Sequence, residues 1–244
     1  RMPGSSMNLA SVNTVLNTIV ADAISSICER LEKSKNLESD IKKAIRETYL
    51  AHKRILFNGD GYSQEWELQA KKLGLLNIKD TPTAIKQYSL DKNIALFEKH
   101  RIFTKQEILA RQTVLFEEYI KQIRIEALTM VSIFVQQILP AVSKYESYLA
   151  NLIQQKQQIK VEYKLHLDLL KQINELLIKA TNTSNKISKD LENISGKYLS
   201  EKAFNYHKYI FKSMKELRTI CDELECICPK TVWPFPTYSD ILFF

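Results

Sequence analysis

The sequence predicts a mainly α-helical protein: a helical body, a long antiparallel hairpin of the coiled-coil kind and a docked aromatic C-terminal tail. Only 5 glycines and 6 prolines interrupt its 244 residues, and so few helix breakers argue against a sheet of many strands. Residues of good helix propensity fill the middle of the chain. Apolar side chains recur there at steps of three and four, which is the period of an amphipathic helix.

Two helices open the helical body, which is predicted over residues 11–140. Ser11 or Asn13 caps the first helix, and the segment "KSKNLESD" ends it. The second helix begins near Asp40. Apolar residues at three- and four-residue steps give each helix one apolar face. These faces contain Leu16, Ile19, Val20, Ala23, Ile24, Ile27 and Leu31 in the first helix, and Ile41, Ile45, Tyr49 and Ile55 in the second.

Turn residues divide the rest of the body into short helices, which a long helix follows. The glycines of "NGDG" accept positive φ and predict a turn, and the next helix stops at Gly74. The helix after it has Thr81 as its cap and Pro82 in its first turn, and "SLDKNIALFEKH" predicts one more. At Thr104 the sequence "TKQE" forms a capping box, which starts the long helix.

The hairpin is predicted over residues 141–228. Pro140 should kink or briefly break the long helix, because proline removes a backbone donor and clashes with the preceding turn. The polar segment "ATNTSN" supplies the turn between the two arms, and Pro229 ends the return arm. Residues that alternate steps of four and three along both arms indicate a heptad seam. The seam contains Leu152, Lys156, Ile159, Tyr163, His166, Leu170, Ile173, Leu177 and Ala180 on the outgoing arm, and Ala203, His207, Ile210, Met214, Leu217, Cys221, Leu224 and Cys228 on the return arm.

The chain ends in "WPFPTYSDILFF", which has five aromatic residues and two prolines. A loose tail is normally polar, because apolar surface left in water costs free energy. We therefore expect the tail, residues 229–244, to dock inside a subunit or across an interface. The expected anchors are Trp233, Phe235, Tyr238, Ile241, Leu242 and Phe243.

The net charge of +7 is spread singly through the helical pattern, without an arginine cluster or a nucleic-acid-binding motif. We expect a solvated helical surface and no nucleic-acid partner. A basic helical nucleic-acid binder is the alternative, and it predicts affinity that falls steeply with salt. No uninterrupted apolar run reaches the ~18 residues of a membrane span, and no signal peptide is evident. A cytoplasmic protein without a membrane partner is therefore predicted.

The sequence contains no pattern typical of an active site, and we expect no catalytic residue and no metal ligand. A glycine-rich phosphate loop and a Gly-x-Ser-x-Gly elbow are both missing. His166 and His207 fall on seam positions of opposite arms, where setting the register is favoured over a metal site or a proton relay. One Cys-x-Cys without a matching pair predicts reduced, partly buried thiols rather than a metal site. The four cysteines are Cys28, Cys221, Cys226 and Cys228.

Three separated strings together carry a family resemblance. They are "RMPGSSMNLASVNTVLNTIVADAI" at the start, "EALTMVSIFVQQILPAVSKY" in the middle and the closing "WPFPTYSDILFF". In this order they resemble the C-terminal part of type III glutamine synthetase, the long bacterial form of the ammonia-fixing ligase. The resemblance covers essentially the whole chain, and its opening and closing strings are the most specific.

The resemblance implies a parent enzyme that condenses glutamate and ammonia through a γ-glutamyl phosphate, with ATP and Mg²⁺ or Mn²⁺. Residues 1–10 would be the end of a catalytic strand and its loop. Arg1, followed by "MPGSS", occupies the position of the family's arginine that contacts glutamate or the transferring phosphate. An arginine suits this role because its planar fork binds carboxylate or phosphate oxygens in pairs. The family's metal ligands and nucleotide site would precede Arg1, so neither ATP nor metal is expected on this chain.

The resemblance therefore implies a C-terminal fragment that serves assembly, is inactive alone and comes from a homo-oligomer of stacked rings. A chain that begins with Arg1 rather than methionine agrees with the expectation of a piece of a longer protein. The alternative is a stand-alone helical coiled-coil interaction module. Such a module would begin with its own methionine and a capped helix.

Overall fold

The computed structural model describes residues 8–236 and 238–242, apart from the side chains at positions 238 and 239. Every regular element among these residues is helical, so the predicted mainly α fold class is confirmed. The chain divides into two compact units, residues 1–112 and residues 113–244. Each unit is described separately below.

The first unit contains five helices and the start of a sixth. Their ends follow from local hydrogen bonds. Gly74, with φ of +70°, closes α3 as predicted. In the predicted capping box, the Thr104 amide donates to Glu107 Oε2 at 2.8 Å, and the Glu107 amide donates to Thr104 Oγ1 at 3.3 Å. The helices are α1 (Ala10–Leu31), α2 (Leu37–His52), α3 (Gln64–Lys72), α4 (Thr81–Gln87), α5 (Asp91–Lys99) and α6 (Lys105–Ile133), with a 3₁₀ turn at Lys53–Ile55.

Two of the predicted helix starts are wrong. Ser11 and Asn13 lie inside α1 and do not cap it. The Ala10 amide, at the start of the helix, donates instead to Asn8 Oδ1 at 2.7 Å. Thr81 is not the cap of α4. The Asp80 carboxylate caps this helix, because it accepts the Thr83 amide at 2.8 Å.

The core of the first unit is small. Ile94 and Phe97 of α5 pack with Ile108 of α6, and all three are buried. Val15, Tyr88 and Phe103 are partly buried against this cluster. The Arg111 guanidinium lies 4.2 Å from the centre of the Phe103 ring and covers one face of it.

The second unit is a helical bundle. The central helix α8 packs against both α7 and α10, and short loops make helices that follow one another in sequence antiparallel neighbours. The core contains Leu149, Ile153, Ile173, Leu177, Ile187, Ile210, Leu217 and Leu224. The elements are the remainder of α6, a π-helical segment (Phe134–Ile138), α7 (Leu139–Gln158), α8 (Lys164–Asn193), α9 (Leu199–Asn205), a second π-helical segment (Tyr206–Phe211), α10 (Lys212–Ile227) and α11 (Tyr238–Leu242).

The predicted turn at "ATNTSN" is wrong, because α8 continues through residues 180–185. The Thr181 hydroxyl donates to the Leu177 carbonyl at 2.8 Å, and Thr183 donates to Lys179 at 2.9 Å. These polar side chains therefore bond within the helix instead of ending it. The turns lie at residues 159–163 and 194–198, so the segment forms three long helical stretches rather than the two arms of a hairpin.

The turn after α7 depends on Lys160, whose φ is +57°. The Val161 amide donates to the Lys156 carbonyl at 2.9 Å, which closes the helix as a Schellman motif does. Glycine normally supplies the left-handed residue here, and a lysine gives no such signal in the sequence. On the predicted seam, Ile159 is exposed for this reason, whereas Ile173, Leu177 and Ala180 are buried. Along the return arm the predicted residues are buried (Ala203, Ile210, Met214, Leu217, Cys221, Leu224 and Cys228) or partly buried (His207), although the two-armed hairpin is not formed.

The predicted break at Pro140 does not occur, because the helical run continues through this residue. The π-helical segment Phe134–Ile138 lies immediately before it, and α7 continues from Leu139. A π-segment widens the turn that precedes proline, which gives the ring room and re-routes the hydrogen bond that proline cannot make.

Among the residues that the structure describes, two helical stretches are long and apolar enough, by length and composition, to cross a membrane: α1 and the continuous run Lys105–Gln158. These two stretches contain scattered polar residues, so neither is an uninterrupted apolar run, yet their mean hydropathy is high enough for a membrane span. The core helices of water-soluble proteins have the same composition, so this finding alone does not indicate a membrane protein.

We expect Leu217→Ala to lower the free energy of unfolding by about 2–5 kcal/mol, because it leaves a cavity at a position with 0% exposure. Leu165, on α8 of the same unit, is 76% exposed, and Leu165→Ala should change stability by less than about 0.5 kcal/mol. Urea unfolding followed by circular dichroism measures both variants. Equal losses would contradict the helix packing described here.

Candidate functional surfaces

A groove with a volume of about 720 Å³ runs along the second unit. Its walls are α6 with the first π-segment, α10, and the C-terminal segment after α10. The floor is apolar, and the rim carries three carboxylates and one guanidinium. The floor includes Met130 and Phe235, which are partly exposed, and Phe134, Met214, Leu217 and Trp233, which are buried; the rim includes Glu126, Arg218, Asp222 and Glu225.

The predicted tail anchors differ in how far they are buried within this chain. Trp233 is buried at 8% exposure, and its ring meets Phe235 edge-on with the centroids 6.3 Å apart. Ile241 lines the groove but stays largely exposed, and Leu242 is exposed as well. An ion pair between Lys230 and Asp240 links the start of the tail to α11. The side chain of Tyr238 and all of Phe243 lie outside the described residues.

The four cysteines are free thiols of two kinds. Cys28 and Cys226 are exposed, whereas Cys221 and Cys228 are buried. Burial raises the pKa of Cys221 and of Cys228 to about 11, because the thiolate would lose its hydration. Cys221 lines the groove, and its thiol is protonated and therefore unreactive near neutral pH.

The apolar faces of α1 and α2 are exposed. The one described residue that α1 buries is Thr18, whose hydroxyl donates to the Thr14 carbonyl at 2.7 Å. Between the two helices lies a cleft of about 350 Å³ whose lining is apolar apart from Thr48: Ile27, Leu31, Ile41, Ala44, Ile45 and Tyr49. Leu16, Ile19, Val20 and Ile24 are also exposed, each by about half. Apolar surface of this extent on a stable protein marks a contact with another surface.

A charged cluster ties α1 to α5. Asp22 Oδ1 accepts from Lys99 Nζ at 2.7 Å, and His100 Nε2 lies 2.9 Å from the same oxygen. Hydrogen bonds from Lys99 and His100 lower the pKa of Asp22, and the hydrogen bond to Asp22 raises the pKa of Lys99. Because the partners are more than seventy residues apart, no local sequence pattern indicated this cluster.

The two seam histidines have different partners. His166 Nδ1 lies 3.4 Å from Lys156 Nζ, whereas His207 Nδ1 lies 3.3 Å from the Tyr119 hydroxyl. Within residues 8–236 and 238–242, no three His, Cys, Asp or Glu side chains are arranged to hold a metal ion. Arg1, the substrate-binding candidate, lies outside these residues. The described part of the chain thus offers no donor set that fits a catalytic metal.

Comparisons with known proteins point to one family. The family model of the glutamine synthetase C-terminal domain matches residues 40–157. The chain is 32% identical over its full length to the type-3 glutamine synthetase of Dictyostelium discoideum, and covers 34% of that protein. It is 36% identical over 85% of its length to a glutamine synthetase of Butyrivibrio fibrisolvens and covers 30% of it. A glutamine synthetase of Bacteroides fragilis (strain YCH46) is 29% identical over the full chain. The chain spans about a third of the length of these relatives.

We expect Asp22→Asn to lower the thermal unfolding midpoint slightly at pH 7, and the difference from the unsubstituted chain to shrink as pH falls below the ordinary aspartate range and to vanish once Asp22 is protonated in the folded state. The folded-state pKa of Asp22 is lowered. Its contribution is therefore present above the unfolded-state pKa and is lost as pH falls through the folded-state pKa. Thermal unfolding across this pH range measures the effect, and Asp168→Asn, at an exposed site on α8, serves as the control. A difference that does not depend on pH would show that the carboxylate charge is irrelevant.

Iodoacetamide at pH 8 should alkylate the native protein at Cys28 and Cys226 and spare Cys221 and Cys228. With a pKa of about 11, roughly one buried thiol in a thousand is ionised at this pH. Peptide mass spectrometry gives the labelled fraction at each site, and a urea-unfolded sample, in which all four react, is the control. Labelling of Cys221 as fast as Cys226 would contradict the burial.

Proposed function

This chain is homologous to the C-terminal portion of type III glutamine synthetase, and on that premise we propose that it is the C-terminal structural part of a longer glutamate–ammonia ligase. The observation that carries the proposal is the extent of the match. Similarity to the Dictyostelium discoideum enzyme runs along 100% of this chain but takes in only 34% of that enzyme. The activity of the longer protein would be ATP-dependent formation of glutamine from glutamate and ammonia.

The exposed face of α1 and α2 supports this proposal. Isoleucine, valine and leucine side chains point into solvent on α1, while a threonine is buried. This is the reverse of what an isolated helical protein requires. A nearly uninterrupted apolar lining is typical of permanent interfaces, which resemble a core cut in half. We infer that another part of the longer polypeptide covers this face.

The chain contributes structure rather than chemistry in this proposal. Its described residues provide no metal-binding group, so ATP and Mg²⁺ or Mn²⁺ would be held by residues elsewhere in the longer enzyme. Arg1 would contact glutamate or phosphate, a role that comes from the family resemblance alone. We further propose a cytoplasmic homo-oligomer of stacked rings, in which the tail with Trp233 stabilises the second unit or a subunit contact.

The chain alone is predicted to form no glutamine, whereas the longer polypeptide forms it with ATP and Mg²⁺. Coupled measurement of glutamine and ADP in both preparations tests this. Activity of the isolated chain, or none in the longer folded protein, would overturn the proposed function.

Val20→Asp should leave the isolated chain folded, because Val20 is 55% exposed there. In the longer polypeptide it should lower soluble assembly and glutamine formation by at least about tenfold, since a covered carboxylate costs several kcal/mol unless it is paired. The matched control is Leu165→Asp, at an exposed apolar site on the second unit. Full activity of the Val20→Asp enzyme would show that this face stays in solvent.

A further inference from the structure

The groove of the second unit has the length and the wall pattern of a site for one more helix. Its α6 wall runs from Ile125 to Ile138 and spans about 20 Å. Its α10 wall runs from Met214 to Glu225 and spans about 17 Å, which is three helical turns. On the α6 wall, residues at three- and four-residue steps form an accessible ridge that a further helix can pack against, whereas on the α10 wall Met214, Leu217 and Cys221 are buried and Glu225 is exposed. The residues at these steps are Ile125, Thr129 and Ile133 on one wall, and Met214, Leu217, Cys221 and Glu225 on the other.

The floor of the groove suits apolar side chains of varied shape. Met130 and Met214 are unbranched and polarizable, so they adapt to irregular contacts. Phe235 is partly exposed and adds aromatic surface, which commonly anchors helices in grooves, and the buried Trp233 ring lies edge-on beside it. A helix with an apolar stripe would therefore contact the accessible apolar lining residues, which include Ile125, Met130 and Phe235.

The rim determines the charge of the occupant. Among the described rim residues, Glu126, Asp222 and Glu225 are exposed carboxylates and Arg218 is the one cation. Arg218 Nε donates to Asp222 Oδ1 at 2.6 Å, so this pair is internally neutralised. Two carboxylates have no cation beside them among the described rim residues: Glu126 on α6, which accepts from Gln122 Nε2 at 2.6 Å, and Glu225 on α10. A helix with lysine or arginine on both sides of its apolar stripe would pair with them.

The charged rim also bears on where the occupant comes from. The α1–α2 cleft of the first unit is lined almost wholly by apolar residues, as permanent interfaces are. The groove combines an apolar floor with an exposed polar rim, which is the anatomy of interfaces between proteins that also exist apart. We propose that this groove binds a basic amphipathic helix of a separate partner protein.

The probe is a synthetic peptide of about 18 residues, with leucine at three- and four-residue steps and lysine on both flanks. Trp233 lines the groove and reports on binding by its fluorescence. The other tryptophan, Trp66, stacks on Phe57, and Trp66→Phe removes its emission while it keeps an aromatic ring there. We expect a saturable change in Trp233 emission with a dissociation constant of about 10 μM. A peptide of the same composition with the leucine spacing scrambled should bind at least about tenfold more weakly.

Charge exchange tests the recognition directly. The double variant Glu126→Lys, Glu225→Lys should bind the lysine peptide at least about tenfold more weakly and gain binding of a peptide with glutamate flanks. Both positions are exposed, so the fold should survive, and circular dichroism checks this. The matched control is Glu175→Lys, Glu192→Lys, at exposed positions on α8 outside the groove lining. This control should bind the lysine peptide like the unsubstituted chain.

Three results would overturn the proposal: no binding of the lysine peptide, equal binding of the scrambled peptide, or no effect of the Glu126 and Glu225 exchange. Loss of peptide binding in the longer polypeptide, with binding retained by this chain, would also overturn it, because the same polypeptide would then cover the groove. The proposal does not depend on ligase activity. A longer polypeptide that forms no glutamine would contradict the proposed ligase function but would not contradict helix binding in the groove. The two proposals can therefore be tested separately.

Discussion

The packing of α8 against both α7 and α10 is the contact on which the second unit depends. Small residues let the neighbouring helices approach α8 closely, since Ala180 and Ser184 are buried at its middle. Larger apolar residues, Ile173 and Ile187, fill the layers on either side of them. While α10 is held against α8, buried residues of α10 such as Leu217 and Cys221 also line the groove, together with Trp233. The positions of the tail and the groove thus depend on α8, in which the sequence analysis had predicted a turn at residues 180–185.

Both units expose apolar surface to water, but the charged residues around that surface differ between them. In the first unit the exposed surface is continuous and almost free of charge, which is why we assign it to another part of the same polypeptide. In the second unit the apolar surface is recessed and rimmed by carboxylates, which lowers its cost in water and leaves it open to a reversible occupant. The difference is one of side-chain chemistry, because both surfaces are formed by long amphipathic helices.

Local rules predicted much of the fold. The capping box at Thr104, the stop at Gly74 and the burial of the return-arm residues depend on residues close in sequence, and all three appear in the structure. The prediction of a turn at residues 180–185 was wrong because threonine hydroxyls can donate hydrogen bonds to carbonyls of the preceding helical turn and remain within a helix. The turn at Lys160 was missed because a left-handed lysine looks like any other lysine. The groove and the Asp22 cluster join segments far apart in sequence, where periodicity carries no information.

The π-helical segments at Phe134–Ile138 and Tyr206–Phe211 have a consequence for how this protein can change over evolution. Each accommodates about one residue more than a regular helix would, and one residue corresponds to a rotation of about 100°. The face that a helix presents before such a segment therefore differs from the face it presents after it. Deleting a single residue in either segment would give a more regular helix, yet would turn every downstream side chain away from its neighbours. In these helices a one-residue deletion would rotate all the following side chains by about 100° and expose the wrong face. Gains or losses of whole turns would keep the faces aligned.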